Sequence, residues 1–142
     1  MNPNYKHTIT IYNCLKGEDS ATKKDVWYRT VLRNCFYKNV VGQTENGDSL
    51  KMSNAYTVRI PVSDKYLTYR EWSQKSEGER SEYFTCQLGD IIVKGECPDM
   101  IAGKAPDTAA QVLQRNKPEA FLVTAFSDNT NSLYGKHYRA GG

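Results

Sequence analysis

The chain has 142 residues, with 19 Lys+Arg against 16 Asp+Glu and a formal net charge of +3. That length suits one domain, able to bury roughly two-thirds of the surface its unfolded form exposes without covalent staples. No apolar run approaches the ~18 residues of a membrane helix, which excludes a spanning helix. The opening Met1-Asn-Pro-Asn-Tyr-Lys-His has no apolar h-region, so no secretory leader is expected. Charges of both signs are scattered, which reads as a solvated surface rather than a dedicated nucleic-acid face.

His7 to Leu15 is predicted as the first strand, because Ile9 and Ile11 alternate with Thr8, Thr10 and Tyr12 and give one apolar face. Lys16 to Asp25 is polar, contains Gly17 and reads as a loop. Val26 to about Cys35 is a second strand that can continue past a bend at Asn34 through Phe36 to Val41. Gly42 to Asn54 is polar except for Leu50 and Met52, with a tight-turn signal at Asn46-Gly47; it reads as a surface loop or a loose hairpin. Ala55 to Pro61 is a strand with Tyr56, Val58 and Ile60 on one face, ended by a proline that cannot donate to a ladder.

Thr68-x-x-Glu71 fits a capping box opening a short helix that carries Trp72. Ser76 to Ser81 is charged and expected to be mobile. Tyr83 to Leu88 leads through the turn Gly89-Asp90 into a buried strand, Ile91 to Gly95, and Glu96 to Ala105 is loop. A second capping box, Thr108-x-x-Gln111, opens a helix to about Asn116 with Ala109, Val112 and Leu113 on one face. Glu119 to Ser127 is a strong strand, Asp128 to Ser132 a turn cluster, and Lys136 to Arg139 a closing strand. Ala140-Gly-Gly is expected to fray. The pattern predicts a mainly β protein: a small β-barrel or sandwich with one or two short helices. It is expected to be one domain over 1–142, its core at 7–139 and its ends flexible. Val58, Ile60, Ile91, Val93, Leu122 and Val123 are the expected core, with the adjacent Ile91 and Ile92 facing different layers.

The chemistry-bearing residues are few. Cys14, Cys35, Cys86 and Cys97 form no C-x-x-C pair and match no zinc spacing. Without an export signal they read as small buried apolar residues of a reducing compartment. His7 and His137 are the only imidazoles, and a His–Cys dyad would need an exposed, activated thiol that nothing in the sequence marks. Asp90 reads as turn chemistry. No phosphate loop, H-E-x-x-H or G-x-S-x-G is present, so no enzyme, metal or cofactor is expected. Trp27, Tyr28, Arg29 and Arg33 form an alternative face on which single-stranded nucleic acid could stack.

Five stretches carry a family resemblance: Thr8-Ile-Thr-Ile-Tyr-Asn, Tyr28-Arg-Thr-Val-Leu, Val58-Arg-Ile-Pro, Gly89-Asp-Ile-Ile-Val-Lys-Gly and Gly135-Lys-His-Tyr-Arg. In this order they resemble a family of uncharacterised proteins from phages and prophages of Gram-positive bacteria. That family is similar in size and pattern to head-closure (stopper) and head–tail joining proteins. The chain departs from its pattern at Ser73 to Glu82 and at Tyr138, where a Trp would stand. The resemblance implies a virion structural protein of the neck, assembled in the host cytoplasm as a hexameric or dodecameric homo-oligomeric ring. Its partners would be connector, adaptor and tail proteins, with packaged double-stranded DNA passing through the lumen and no membrane. In such a ring Gln43, Glu45, Asn46, Gly47, Asp48 and Leu50 would form a loop reaching into the lumen to gate DNA. Alternative functions are a single-strand-binding barrel or a phage-encoded inhibitor of a host defence protein.

Overall fold

The computed structural model describes residues 5–46 and 49–142, with the side chains of 41–54 outside the description. Seven strands form one antiparallel sheet: β1 (His7–Leu15), β2 (Val26–Asn46), β3 (Ser49–Pro61), β4 (Ile91–Lys94), β5 (Ala120–Leu122), β6 (Ala125–Asn129) and β7 (His137–Gly141). Their order is β5-β4-β1-β2-β3-β7-β6, and the sheet curls into a half-barrel. The short helices α1 (Tyr69–Ser73), α2 (Glu77–Arg80) and α3 (Ala109–Arg115) lie in the connections, and a single 3-10 turn, Gly17–Asp19, opens the loop after β1. Among the described residues no helix is long and apolar enough to cross a membrane.

The curl starts in β2. Its first part pairs with β1 from Val26↔Leu15 to Leu32↔Ile9, then the register slips so that Cys35 faces His7. Asn34 sits at φ 59 within that slip. Asn tolerates this left-handed geometry better than most residues, so one strand can bend and serve two halves of the sheet. Beyond the bend, Phe36 onward pairs with β3.

The other end of the curl is made by the run expected as one strand from Glu119 to Ser127. It divides, because β5 and β6 stand at opposite margins of the sheet. Val123 exchanges backbone bonds with the Gly89–Asp90 turn at 2.8 Å, and the next amide, Thr124, donates to Gly141 at 2.8 Å on the far side. The chain thereby bridges the two margins in two residues.

β1 is central and buried on both faces, where the sequence shows one apolar face. Ile9 and Ile11 join Val58, Ile60, Phe84, Ile92 and Phe121 in the inner core. Tyr12 faces outward with Ile91 and Val93 into a second cluster closed by Val112 of α3. The cross-strand register explains the division, since Ile92 stands opposite Ile11 and Ile91 opposite Tyr12. Of the expected core, Val58, Ile60, Ile91, Val93 and Val123 are buried; Leu122 is 44% exposed, because the strand turns its side chain outward at the sheet margin.

Both capping boxes form. Thr68 caps α1 with reciprocal bonds to Glu71, and Thr108 caps α3 with reciprocal bonds to Gln111. The Ser76–Ser81 stretch is α2 rather than a mobile segment, since Ser76 caps it and Arg80 reaches back to bond the Tyr28 hydroxyl at 3.0 Å. The buried Trp72 indole completes the clasp: it packs edge-on against Tyr28 at 5.3 Å and donates to the Arg80 carbonyl. The ends depart from expectation as well. Tyr5 is buried, and Ala140-Gly-Gly is part of the structure, with Gly142 exchanging backbone bonds with Tyr56.

Candidate functional site

The 42–54 stretch, open between loop and hairpin in the sequence, is the distal part of one long hairpin. Its ladder runs without interruption from Phe36↔Arg59 to Asn46↔Ser49. Gln43 stands opposite Met52 and Glu45 opposite Leu50; Gly47 and Asp48, the centre of the expected gating loop, lie outside the described residues. β1 leaves β2 at Cys35, and β7 leaves β3 at Thr57. Among the described residues, the seven pairs from Val40↔Ala55 to Asn46↔Ser49 therefore have ladder partners only in each other. At about 3.4 Å per residue this two-stranded arm extends about 20 Å. That is about half the reach of an extended ~13-residue loop. The signal for β3 was present: Leu50 and Met52 are in phase with Tyr56, Val58 and Ile60.

The arm is rooted in aromatic packing. Tyr56 stacks on Phe121 at 4.6 Å and 11°, and Tyr37 lies 6.4 Å from both rings. The Tyr37 hydroxyl donates to the Glu119 carbonyl at 2.8 Å, and Tyr56 and Asn39 both donate to the Pro118 carbonyl. Gly142 fits beneath this root because it has no side chain; a Cβ there would stand 2.4 Å from the Phe121 ring and 2.5 Å from the Leu122 carbonyl. The root thus ties both arm strands to the segment before β5, a long-range arrangement that no local pattern reveals.

A second exposed feature is the β6–β7 connection. Asp128 accepts from the Thr130 amide and hydroxyl, and Ser132 donates to the Asn129 and Tyr134 carbonyls, so the turn is ordered by its own polar groups. It nevertheless displays Leu133 and Tyr134 at 90% and 89% exposure.

The four residues of the alternative nucleic-acid face are not brought to one face. Tyr28 stands opposite Asn13 on the inner side, while Trp27 and Arg29 stand opposite Cys14 and Tyr12 on the outer side. Arg29 Nε donates to the Cys97 carbonyl at 2.6 Å, and Arg33 pairs with Glu96 at 3.4 Å. Trp27 is half-buried against the outer cluster.

Asp90 does more than turn the chain. It is buried beside β1, where Oδ2 accepts from Asn13 Nδ2 and the Gln87 amide, both at 2.9 Å, and Oδ1 accepts from the Cys14 amide at 3.1 Å. Asn13 spends its remaining capacity on Thr85, donating to the carbonyl at 2.6 Å and accepting from the amide at 3.2 Å. Burial lifts the Asp90 carboxyl to about 6, against the three donors and the Lys16 ammonium that favour its charge. All four cysteines are free and buried. Burial pushes Cys14 up to about 11, Cys35 to about 12 and Cys86 upward too, so these thiols stay protonated near neutral pH. His7 Nδ1 accepts from the Tyr37 amide at 3.3 Å, and His137 lies between the Gly135 carbonyl and the Asn129 amide.

The chain is thus a mainly β protein, an antiparallel half-barrel with a two-stranded arm and an exposed apolar turn. The chain belongs to DUF6751, a family of unknown function whose profile matches residues 4–142. No curated protein and no solved structure matches it.

Proposed function

We propose that the chain is a structural subunit of the head–tail connector of a tailed phage, a head-closure ring subunit in the virion neck. The arm is the observation that carries this reading. Two strands alone are at best marginally stable in water, and both outer edges of such a ribbon offer unpaired backbone groups. Such a ribbon is stabilised when its edges pair with another chain. In a ring, heterologous contacts repeat around the axis, and an arm of about 20 Å is long enough to cross onto a neighbouring copy. The exposed Leu133–Tyr134 turn supplies a second contact of the kind that anchors an interface.

In this reading the ring is a homo-oligomer, hexameric or dodecameric, seated on the connector or adaptor and followed by tail proteins. Packaged double-stranded DNA passes through its lumen without sequence-specific contact. The negative charges of Glu45 and Asp48 in this part of the sequence would repel phosphate and let DNA slide. The order of the five sequence stretches, which resembles that of an uncharacterised phage and prophage family similar in size and pattern to head-closure proteins, supports the same reading.

The test is a phage whose copy of this gene lacks Glu45 to Leu50. The intact protein is expected as a ring in the neck by electron microscopy. The deletion is expected to fold, yet leave DNA-filled heads that leak before tails attach. An intact protein that is strictly monomeric and absent from particles would overturn the reading.

A further inference from the structure

The loop after β1 and the loop before α3 enclose an outer cleft of about 570 Å³, within the range of roughly 300–1,000 Å³ typical of small-molecule sites. The half-buried Trp27 lines it together with Lys24, Asp25 and Lys104. Both rims are built. Across one, the Gly17 amide donates to Asp25 Oδ1 at 2.8 Å, and a Cβ on Gly17 would meet the Lys23 carbonyl at 2.9 Å. Across the other, the Ala102 and Gly103 amides both donate to the Asp107 carbonyl, and the Asp107 carboxylate is held by Arg115 at 2.7 Å.

The polar side chains of this cleft divide by what they already do. Asp25 Oδ1 accepts from the Gly17 amide and its carboxylate keeps one negative charge against the two lysines, while the Thr108 hydroxyl is committed to the Gln111 capping box. The donor groups left without a hydrogen-bond or ion-pair partner among the described residues are Trp27 Nε1, Lys24 Nζ and Lys104 Nζ. All three are donors, and two are cations. A ligand matched to them has a flat face for the indole and an anionic, acceptor-rich group for the ammoniums. We propose that this cleft binds a nucleotide unit, its base stacked on Trp27 and its phosphate held between Lys24 and Lys104. This proposal is independent of ring assembly, and the arm takes no part in it. The same unit can come from a free nucleotide or from single-stranded DNA.

Tryptophan fluorescence reads it directly, because Trp72 is fully buried and Trp27 is the indole a ligand can reach. The full chain is titrated with dTMP and, separately, with oligothymidylate of about ten nucleotides. Quenching by both, with dTMP competing against the oligomer, identifies a mononucleotide pocket; quenching by the oligomer alone identifies a single-strand site. Either result supports the proposal. Lys24→Ala/Lys104→Ala, with an unchanged melting temperature, is expected to weaken binding about tenfold and flatten its salt dependence. Trp27→Leu is expected to weaken binding of labelled oligomer by roughly 5- to 150-fold, the equivalent of one lost base stack. Absence of quenching by both probes overturns the proposal. So does quenching that the lysine pair does not alter.

Discussion

β1 and the arm are both β-structure, yet they are stabilised in different ways. β1 has a strand on each side and a packed cluster on each face, and even its polar residues are consumed. Thr10 donates to the Gly95 carbonyl and accepts from the Cys97 amide, both at 2.8 Å, while Asn13 is locked to Thr85 and Asp90. The arm, from Val40 and Ala55 outward, has one ladder and no third strand among the described residues. The body therefore holds the fold, while the outer backbone edges of the arm meet no third strand among the described residues. Substitutions should separate the two regions cleanly.

The largest effect is expected in the body. Ile11→Ala removes a fully buried side chain from the inner core and should cost roughly 2–5 kcal/mol by urea denaturation. A loss below about 1 kcal/mol would mean that the inner core does not hold the sheet.

Next comes the buried carboxylate. The folded chain holds the Asp90 proton more tightly than the unfolded chain, with a pKa near 6 against the ordinary 3.8. Folding therefore takes up a proton in that window, and this group's contribution is greatest below pH ~4 and is lost as pH rises through ~6. The stability difference between the native chain and Asp90→Asn should fall by roughly 2–3 kcal/mol from pH 4 to pH 7. Asp99 and Asp128, whose pKa values are lowered by their hydrogen-bond partners, act in the opposite sense but cancel in the difference. A flat difference profile would show that the Asn13–Asp90 network is not charge-sensitive.

A smaller effect is expected at the root of the arm. Gly142→Ala should cost about 1–3 kcal/mol, because its methyl group would collide with Phe121 and the Leu122 carbonyl. An unchanged melting curve would mean that the tail is not seated there. The smallest effect on stability is expected from deleting Glu45 to Leu50, within about 0.5 kcal/mol of the intact chain by urea denaturation.

The contrast between the regions also explains what the sequence discloses. The ends of β1, both capping boxes and the bend at Asn34 are local signals, legible because local chemistry makes them. The arm reads equally as loop or hairpin because a ribbon without a core needs no apolar face, so its composition resembles that of a loop. The second buried face of β1 is not legible in the sequence because Thr10 and Asn13 find their partners more than 70 residues away. Ala140-Gly-Gly reads as a fraying tail, although its glycines are there for close approach to Phe121 and Tyr56. Of the candidate site residues, the sequence grouped Trp27 with Tyr28, Arg29 and Arg33. The fold leaves Trp27 open beside Lys24 and Lys104, a grouping that depends on two distant loops meeting.

In the proposed assembly the arm completes its bonding on another subunit. Amide hydrogen exchange over Val40–Asn46 and Ser49–Ala55, compared between the free chain and assembled particles, tests it most directly. In the free chain these amides are expected to exchange far faster than those of β1, and to become protected on assembly. Arm amides already as protected as β1 in the free chain, or unchanged in the particle, would contradict the account.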